Sequence, residues 1–113
     1  MKVINTTKKK DIARSVMMAD NALKRMKGLL GIETLEEGRA LWLKPCRGIH
    51  TIGMKFPIDV IFLDKRYEVV AIRKNLAPNR ITRLYLSAAS VIELPAGKLS
   101  ETNIEVGDVI EIA

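Results

Sequence analysis

The stretch Pro45-Cys46-Arg47-Gly48-Ile49-His50-Thr51-Ile52-Gly53-Met54-Lys55-Phe56-Pro57-Ile58-Asp59 holds the only cysteine and the only histidine of the chain, with two glycines and two prolines. A thiol, an imidazole and a carboxylate so close together are the raw material of a nucleophile site. The thiolate would be Cys46, the base His50 and the orienting carboxylate Asp59. Such a triad is defined by geometry, not by spacing. A free cysteine is more often a small buried apolar residue, and His50 fits equally well as an alternating position along a strand. A metal site would need three or four ligands. Cys46, His50, Asp59 and the distant Glu93 could supply atoms, but their spacing resembles no ligand set. A lone cysteine and a lone histidine exclude all-cysteine and multi-histidine metal sites within one chain, and no metal or cofactor is expected. Gly28-Leu29-Leu30-Gly31 lacks the lysine and the spacing of a phosphate-binding loop.

Asp59 and Glu93 are a second source of chemistry. Each sits inside an apolar run, Ile58-Asp59-Val60-Ile61 and Val91-Ile92-Glu93-Leu94. A carboxylate there is costly unless paired or hydrogen-bonded. Arg25, just ahead of Gly28, is the expected partner, clamping helix to sheet. The alternative is a pocket lined by perturbed acids, and two carboxylates could then do general acid–base work.

These residues need a scaffold, and the sequence points to a β one. Val3 to Thr6 and Ala13 to Ala19 read as strands. Asp20 to Gly28 reads as a helix of about two turns, with Asp20 as N-cap, an apolar stripe of Ala22, Leu23 and Met26, and a terminating glycine. From Arg39 onward strands are expected at Ala40–Lys44, Gly48–Ile52, Ile58–Leu63, Tyr67–Arg73, Ser90–Leu94 and Val109–Ile112. Ile58–Leu63 is the strongest, being β-branched and aromatic. Ile81–Leu86 is ambiguous, and a short turn or helix starts near Ser100. The expectation is a mostly β, compact single domain over residues 1–113. It would be a sandwich or barrel, jelly-roll-like, of about eight short strands with one short helix. A mixed α+β arrangement with a small sheet is the alternative. Met17, Met18, Met26 and Met54 are expected as core filling.

Composition narrows the function classes. The chain has 113 residues, 48% hydrophobic and 28% charged, which fits one globular domain. No apolar run reaches the roughly 18 residues of a membrane span, and the first residues lack a signal peptide's apolar core. A free cysteine without an export signal points to a reducing cytoplasm. Glutamine is absent while Lys, Arg and Glu are plentiful, which leans towards a thermophilic source. The net charge of +6 is uneven: residues 1–56 carry 12 basic and 5 acidic side chains, residues 57–113 carry 7 and 8. A basic half can attract polyanions. Aromatic residues at 4% give no stacking platform, however, and no nucleic-acid motif is present. Lys8-Lys9-Lys10 reads as a solvated loop or hairpin turn.

Four separated elements resemble one family. Arg25-Met26-Lys27-Gly28-Leu29-Leu30 is similar to an Arg-x-x-Gly-Leu-Met/Leu element. Gly48 to Asp64, Val91-Ile92-Glu93-Leu94-Pro95-Ala96-Gly97 and Gly107-Asp108 follow in the same order. Together they resemble the widespread bacterial and archaeal domain-of-unknown-function family 192. The resemblance implies a compact, mostly β domain and supplies no reaction. Arg25, Gly28, Met54, Pro57, Asp59 and Glu93 match its pattern. Many members carry Trp-Met-x-Asn-Thr where this chain has His50 to Phe56, so Cys46 and His50 have no counterpart there. The reading favoured is a small soluble domain that binds a ligand or partner through Arg25, His50, Thr51, Met54, Asp59 and Glu93. The rivals are a small enzyme using Cys46/His50 or the Asp59/Glu93 carboxylates, and a weak basic nucleic-acid accessory.

Overall fold

The computed structural model describes residues 1–113. The chain runs β1 (Val3–Asn5), β2 (Lys10–Ala13), β3 (Ser15–Ala19), α1 (Ala22–Lys27), β4 (Arg39–Leu43), β5 (Ile58–Leu63), β6 (Val69–Leu76), β7 (Ser90–Pro95), α2 (Lys98–Thr102) and β8 (Ile110–Ile112). Two sheets form, one in the order β2-β1-β8 and one in the order β3-β4-β7-β5-β6. Their strands are antiparallel except for β3 and β4, which run parallel.

The larger sheet is covered on both faces, and this explains the Ile-Asp-Val-Ile-Phe-Leu run of β5, in which every residue is buried. Successive strand side chains point to opposite faces. Ile58, Val60 and Phe62 enter one core with Val91, Leu41, Leu43, Leu29, Ile49 and Met54. Ile61 and Leu63 enter the other with Ile92, Leu94, Trp42, Leu99 and the inward residues of β1, β2 and β8. The small sheet and α2 therefore close the second face. The first face is closed by the segment after α1, with Leu29 and Leu35, and by the loop between β4 and β5, with Ile49 and Met54.

That loop departs from the sequence expectation. Gly48–Ile52 and Ile81–Leu86 are not ladder strands; a single bridge joins His50 to Ile81. They nevertheless run side by side. Thr82 N–H donates to the Ile49 carbonyl at 2.9 Å and Tyr85 N–H to the Arg47 carbonyl at 2.9 Å, while the Thr82 hydroxyl accepts from Ile49 N–H at 3.0 Å. The approach is close enough to need glycine at position 48: a Cβ there would lie 2.9 Å from Leu84 Cδ2 and 3.0 Å from the Arg83 carbonyl oxygen. A side-chain hydroxyl thus accepts the bond that a backbone carbonyl would accept in a ladder, so the pattern has strand composition without strand register.

Two details of α1 also differ. Asn21, not Asp20, is the N-cap: its Oδ1 accepts from Lys24 N–H at 3.0 Å. Asp20 instead lies 3.9 Å from the Lys24 ammonium. The stripe of Ala22, Leu23 and Met26 packs on no core, and Leu23 and Met26 are 79% and 71% exposed. Gly28 does end the helix, at φ 48°, with its N–H on the Lys24 carbonyl at 2.9 Å. Lys8, in the β1–β2 turn, is spent on ion pairs with Glu105 and Asp108, each at 3.1 Å.

Candidate functional site

The α1-side face of the large sheet carries a cleft of about 430 Å3. Its wall is the C-terminal half of α1 and the residues after it, with Arg25, Met26 and Leu30. Cys46, His50 and Met54 come from the β4–β5 loop, and Leu84 from the segment beside it. The sheet supplies Leu43 and Glu93. Such a size and mixed lining are typical of small-molecule sites.

Glu93 is the unusual member. It is only 3% exposed, on the central strand β7. Its strand neighbours are Leu41 on β4 and Val60 on β5, both buried and apolar. No side chain or backbone group of the protein hydrogen-bonds its carboxyl. Burial alone acts on it, raising its pKa from 4.5 to about 8. At neutral pH the group is therefore mostly the acid form, an O–H donor facing the cleft.

The expected Arg25 clamp is not formed. Arg25 lines the cleft, half-buried, and no carboxylate lies within ion-pairing distance of it. Asp59 lies on the opposite face of the sheet. Antiparallel pairing sets Asp59 against Leu94 and Val60 against Glu93, so the two acids differ by one position and point apart. They are not an acid–base pair. Asp59 is held by backbone: Oδ1 accepts from Asn75 N–H and Oδ2 from Leu99 N–H, both at 2.8 Å. The second bond caps α2, which has no side-chain cap of its own. Thr51 is also spent on structure. Its hydroxyl donates to the Ala77 carbonyl at 2.6 Å and accepts from Arg80 N–H at 3.0 Å. Of the six residues singled out from the sequence, the cleft gathers Arg25, His50, Met54 and Glu93, and leaves Thr51 and Asp59 in supporting positions.

The Cys46/His50/Asp59 triad is likewise not assembled. His50 Nδ1 accepts from Ile52 N–H at 3.3 Å. The Cys46 thiol donates to the Gly48 carbonyl at 3.1 Å. Burial, with Glu93 nearby, pushes that thiol above its ordinary value. This is the opposite of an activated nucleophile. Alkylation of the native protein by iodoacetamide at pH 7 is expected to be slower than that of an unstructured cysteine peptide. Its rate should still be rising at pH 9, which is about where an unperturbed thiol levels off. A rate plateau below pH 8 would restore the nucleophile reading. No group of three or more His, Cys, Asp or Glu side chains is placed to hold a metal ion. No helix is long and apolar enough to cross a membrane.

Sequence reasoning missed Leu30, Leu84 and Arg47 as cleft residues. Leu84 lies in the ambiguous Ile81–Leu86 segment, which the Thr82–Ile49 and Tyr85–Arg47 hydrogen bonds hold beside the β4–β5 loop.

The class is thus a mostly β domain of two sheets, with one face opened into a cleft. The chain belongs to the family described as Uncharacterized ACR, domain of unknown function 192, whose pattern matches residues 3–112. It is 34% identical over 112 residues to a UPF0127 protein of Pyrococcus furiosus, covering 96% of both chains. To a UPF0127 protein of Thermococcus sibiricus it is 33% identical over 117 residues, covering 96% of this chain and 73% of the relative. The fold is similar to that of a protein of unknown function from Novosphingobium aromaticivorans, with a TM-score of 0.85 at 21% identity, over 98% of this chain and 82% of that one. A Sinorhizobium meliloti protein gives a TM-score of 0.80 at 19% identity, over 97% and 89%. The family is uncharacterised and carries no established catalysis.

Proposed function

We propose that this domain binds a small molecule in the cleft between α1 and β7. The observation that carries the reading is Glu93. A buried carboxyl without a partner costs stability. Between Leu41 and Val60 an apolar residue would fill the same place without that cost. A donor with no partner in the protein, at the wall of an open cleft, has a use when a ligand supplies the acceptor. Arg25, His50, Met54 and Glu93 would contact the ligand, while Thr51 and Asp59 hold the walls. The raised thiol and the dispersed carboxylates support binding over catalysis. The free, half-buried Cys46 thiol fits a reducing, cytoplasmic setting.

The test is a titration of 15N-labelled protein with 1-octanol, a neutral probe with an apolar body and an oxygen acceptor. Saturable shifts are expected at the backbone amides of Gly28, Gly48 and His50, with β1 and β8 unmoved. Shifts that grow linearly without saturating, or that spread over the whole surface, would overturn the reading.

A further inference from the structure

We propose that the ligand of this cleft is an organic acid with an apolar body, its carboxylate held by Arg25 and an oxygen of the ligand receiving the Glu93 O–H. The inference rests on the binding reading above and assigns the ligand's chemical class.

Three features of the cleft converge on it. The first is charge. Arg25, Lys27 and Arg47 line the cleft, and Glu93 is its one carboxyl. A cationic ligand would meet repulsion from three side chains. An anion would meet attraction, strengthened by the low dielectric near the sheet. The second is the state of Arg25. It is half-buried, with no ion pair to any acid of the protein. A guanidinium offers a planar two-pronged donor that matches a carboxylate. The third is the lining between these polar groups. Met26, Leu30, Met54 and Leu84 present apolar surface, so the rest of the ligand must be apolar too. The exposed Met26 and Leu84 side chains at the mouth extend that surface outward.

Glu93 then has a defined part. In its acid form it donates a hydrogen bond and adds no negative charge to repel the ligand. Once ionised it would repel a carboxylate at close range. Binding of an acid therefore weakens as Glu93 loses its proton, in the range about pH 8 and above. The groups facing it are Arg25 and Lys27 from the α1 side and Cys46, Arg47 and His50 from the β4–β5 loop; the neighbours on β4 and β5 are apolar. Cys46 also titrates on the alkaline side, so the pH profile is measured in a Cys46→Ser background.

The experiment compares octanoate, 1-octanol and octylammonium by calorimetry and amide shifts at pH 7. Octanoate is expected to bind at least tenfold more tightly than octanol, and octylammonium more weakly than both. Arg25→Met should cost octanoate about 10–100-fold and leave octanol within about threefold, as a lost charged hydrogen bond predicts. Arg25 lies on a helix with no buried residue, so this variant is expected to fold. Glu93→Gln keeps a donor, so it should retain octanoate binding at pH 7 within about threefold and abolish the decline above pH 8. Octanol binding with no gain for octanoate, or octylammonium binding best, would sink the proposal and leave the cleft a binding site. No saturable binding of any of the three would sink both. An octanoate affinity flat to pH 9.5 would remove the Glu93 contact, and with it the proposed pose.

Discussion

As pH rises from about 4.5 to about 8, wild-type protein is expected to lose about 3–5 kcal/mol of unfolding free energy relative to Glu93→Gln. The sign follows from proton counting. In the folded state the Glu93 carboxyl keeps its proton to about pH 8, because burial disfavours the anion. In the unfolded chain it releases that proton near pH 4.5. Across this window the native state binds the extra proton, so raising the pH favours unfolding. Below the window both states are protonated, and the wild type and the Glu93→Gln variant should be nearly equal in stability. Above it both states are ionised, and the difference is constant at its largest. Chemical denaturation at a series of pH values, with the two proteins side by side, reads the difference directly. Parallel curves would mean that the carboxyl ionises freely in the fold and that the cleft is wetter than its lining implies. Glu93→Met should be as stable as Glu93→Gln or more so at pH 8, since an apolar side chain suits the space between Leu41 and Val60.

The same residue shows what was legible in the sequence. A carboxylate inside Val91-Ile92-Glu93-Leu94 announces itself as a buried polar group, and so does Asp59 inside its own run. Local pattern identifies the strand and the alternation. It does not fix the register between β5 and β7, and a shift of one residue exchanges the faces. The register actually formed sets Asp59 against Leu94 and sends the two acids to opposite sides. One is then satisfied by backbone and the other is left to the cleft. The amides that satisfy Asp59 belong to Asn75 and Leu99, 16 and 40 positions away. A backbone N–H carries no residue-type signature, so the pairing could not be read, and Arg25 stood in as the partner whose side chain is visible. The helix was legible in type and in its Gly28 end. That its apolar stripe stays exposed was not, because periodicity reports a face without reporting what covers it. The strand composition of Gly48–Ile52 was also real. Its pairing is broken by the Thr82 hydroxyl and the tight passage at Gly48, both of which depend on a segment more than thirty positions away.

Asp59→Ala is expected to be the most damaging single substitution outside the apolar core, at about 3–5 kcal/mol. The side chain is almost wholly buried and accepts two hydrogen bonds, from Asn75 at the end of β6 and from Leu99 in the first turn of α2. Removing it leaves two amides without acceptors, each costing about 1–3 kcal/mol. It also loosens α2 from the sheet, since Leu99 is the residue that plugs this helix into the second core. Asp59→Asn should cost less, about 1–3 kcal/mol, because its carbonyl oxygen can keep one of the two bonds while its amino group faces the other donor. Hydrogen exchange should locate the damage, with protection lost first at Asn75 and Leu99. Combined with Arg25→Met, Asp59→Asn should show additive losses within about 0.5 kcal/mol, since the sheet separates the two residues and they share no partner. A coupling above about 1 kcal/mol would mean that Arg25 reaches Asp59 after all. Additivity would confine Asp59 to holding the sheet and α2 together, and would leave Arg25 free, on the other face, to meet whatever enters beside Glu93.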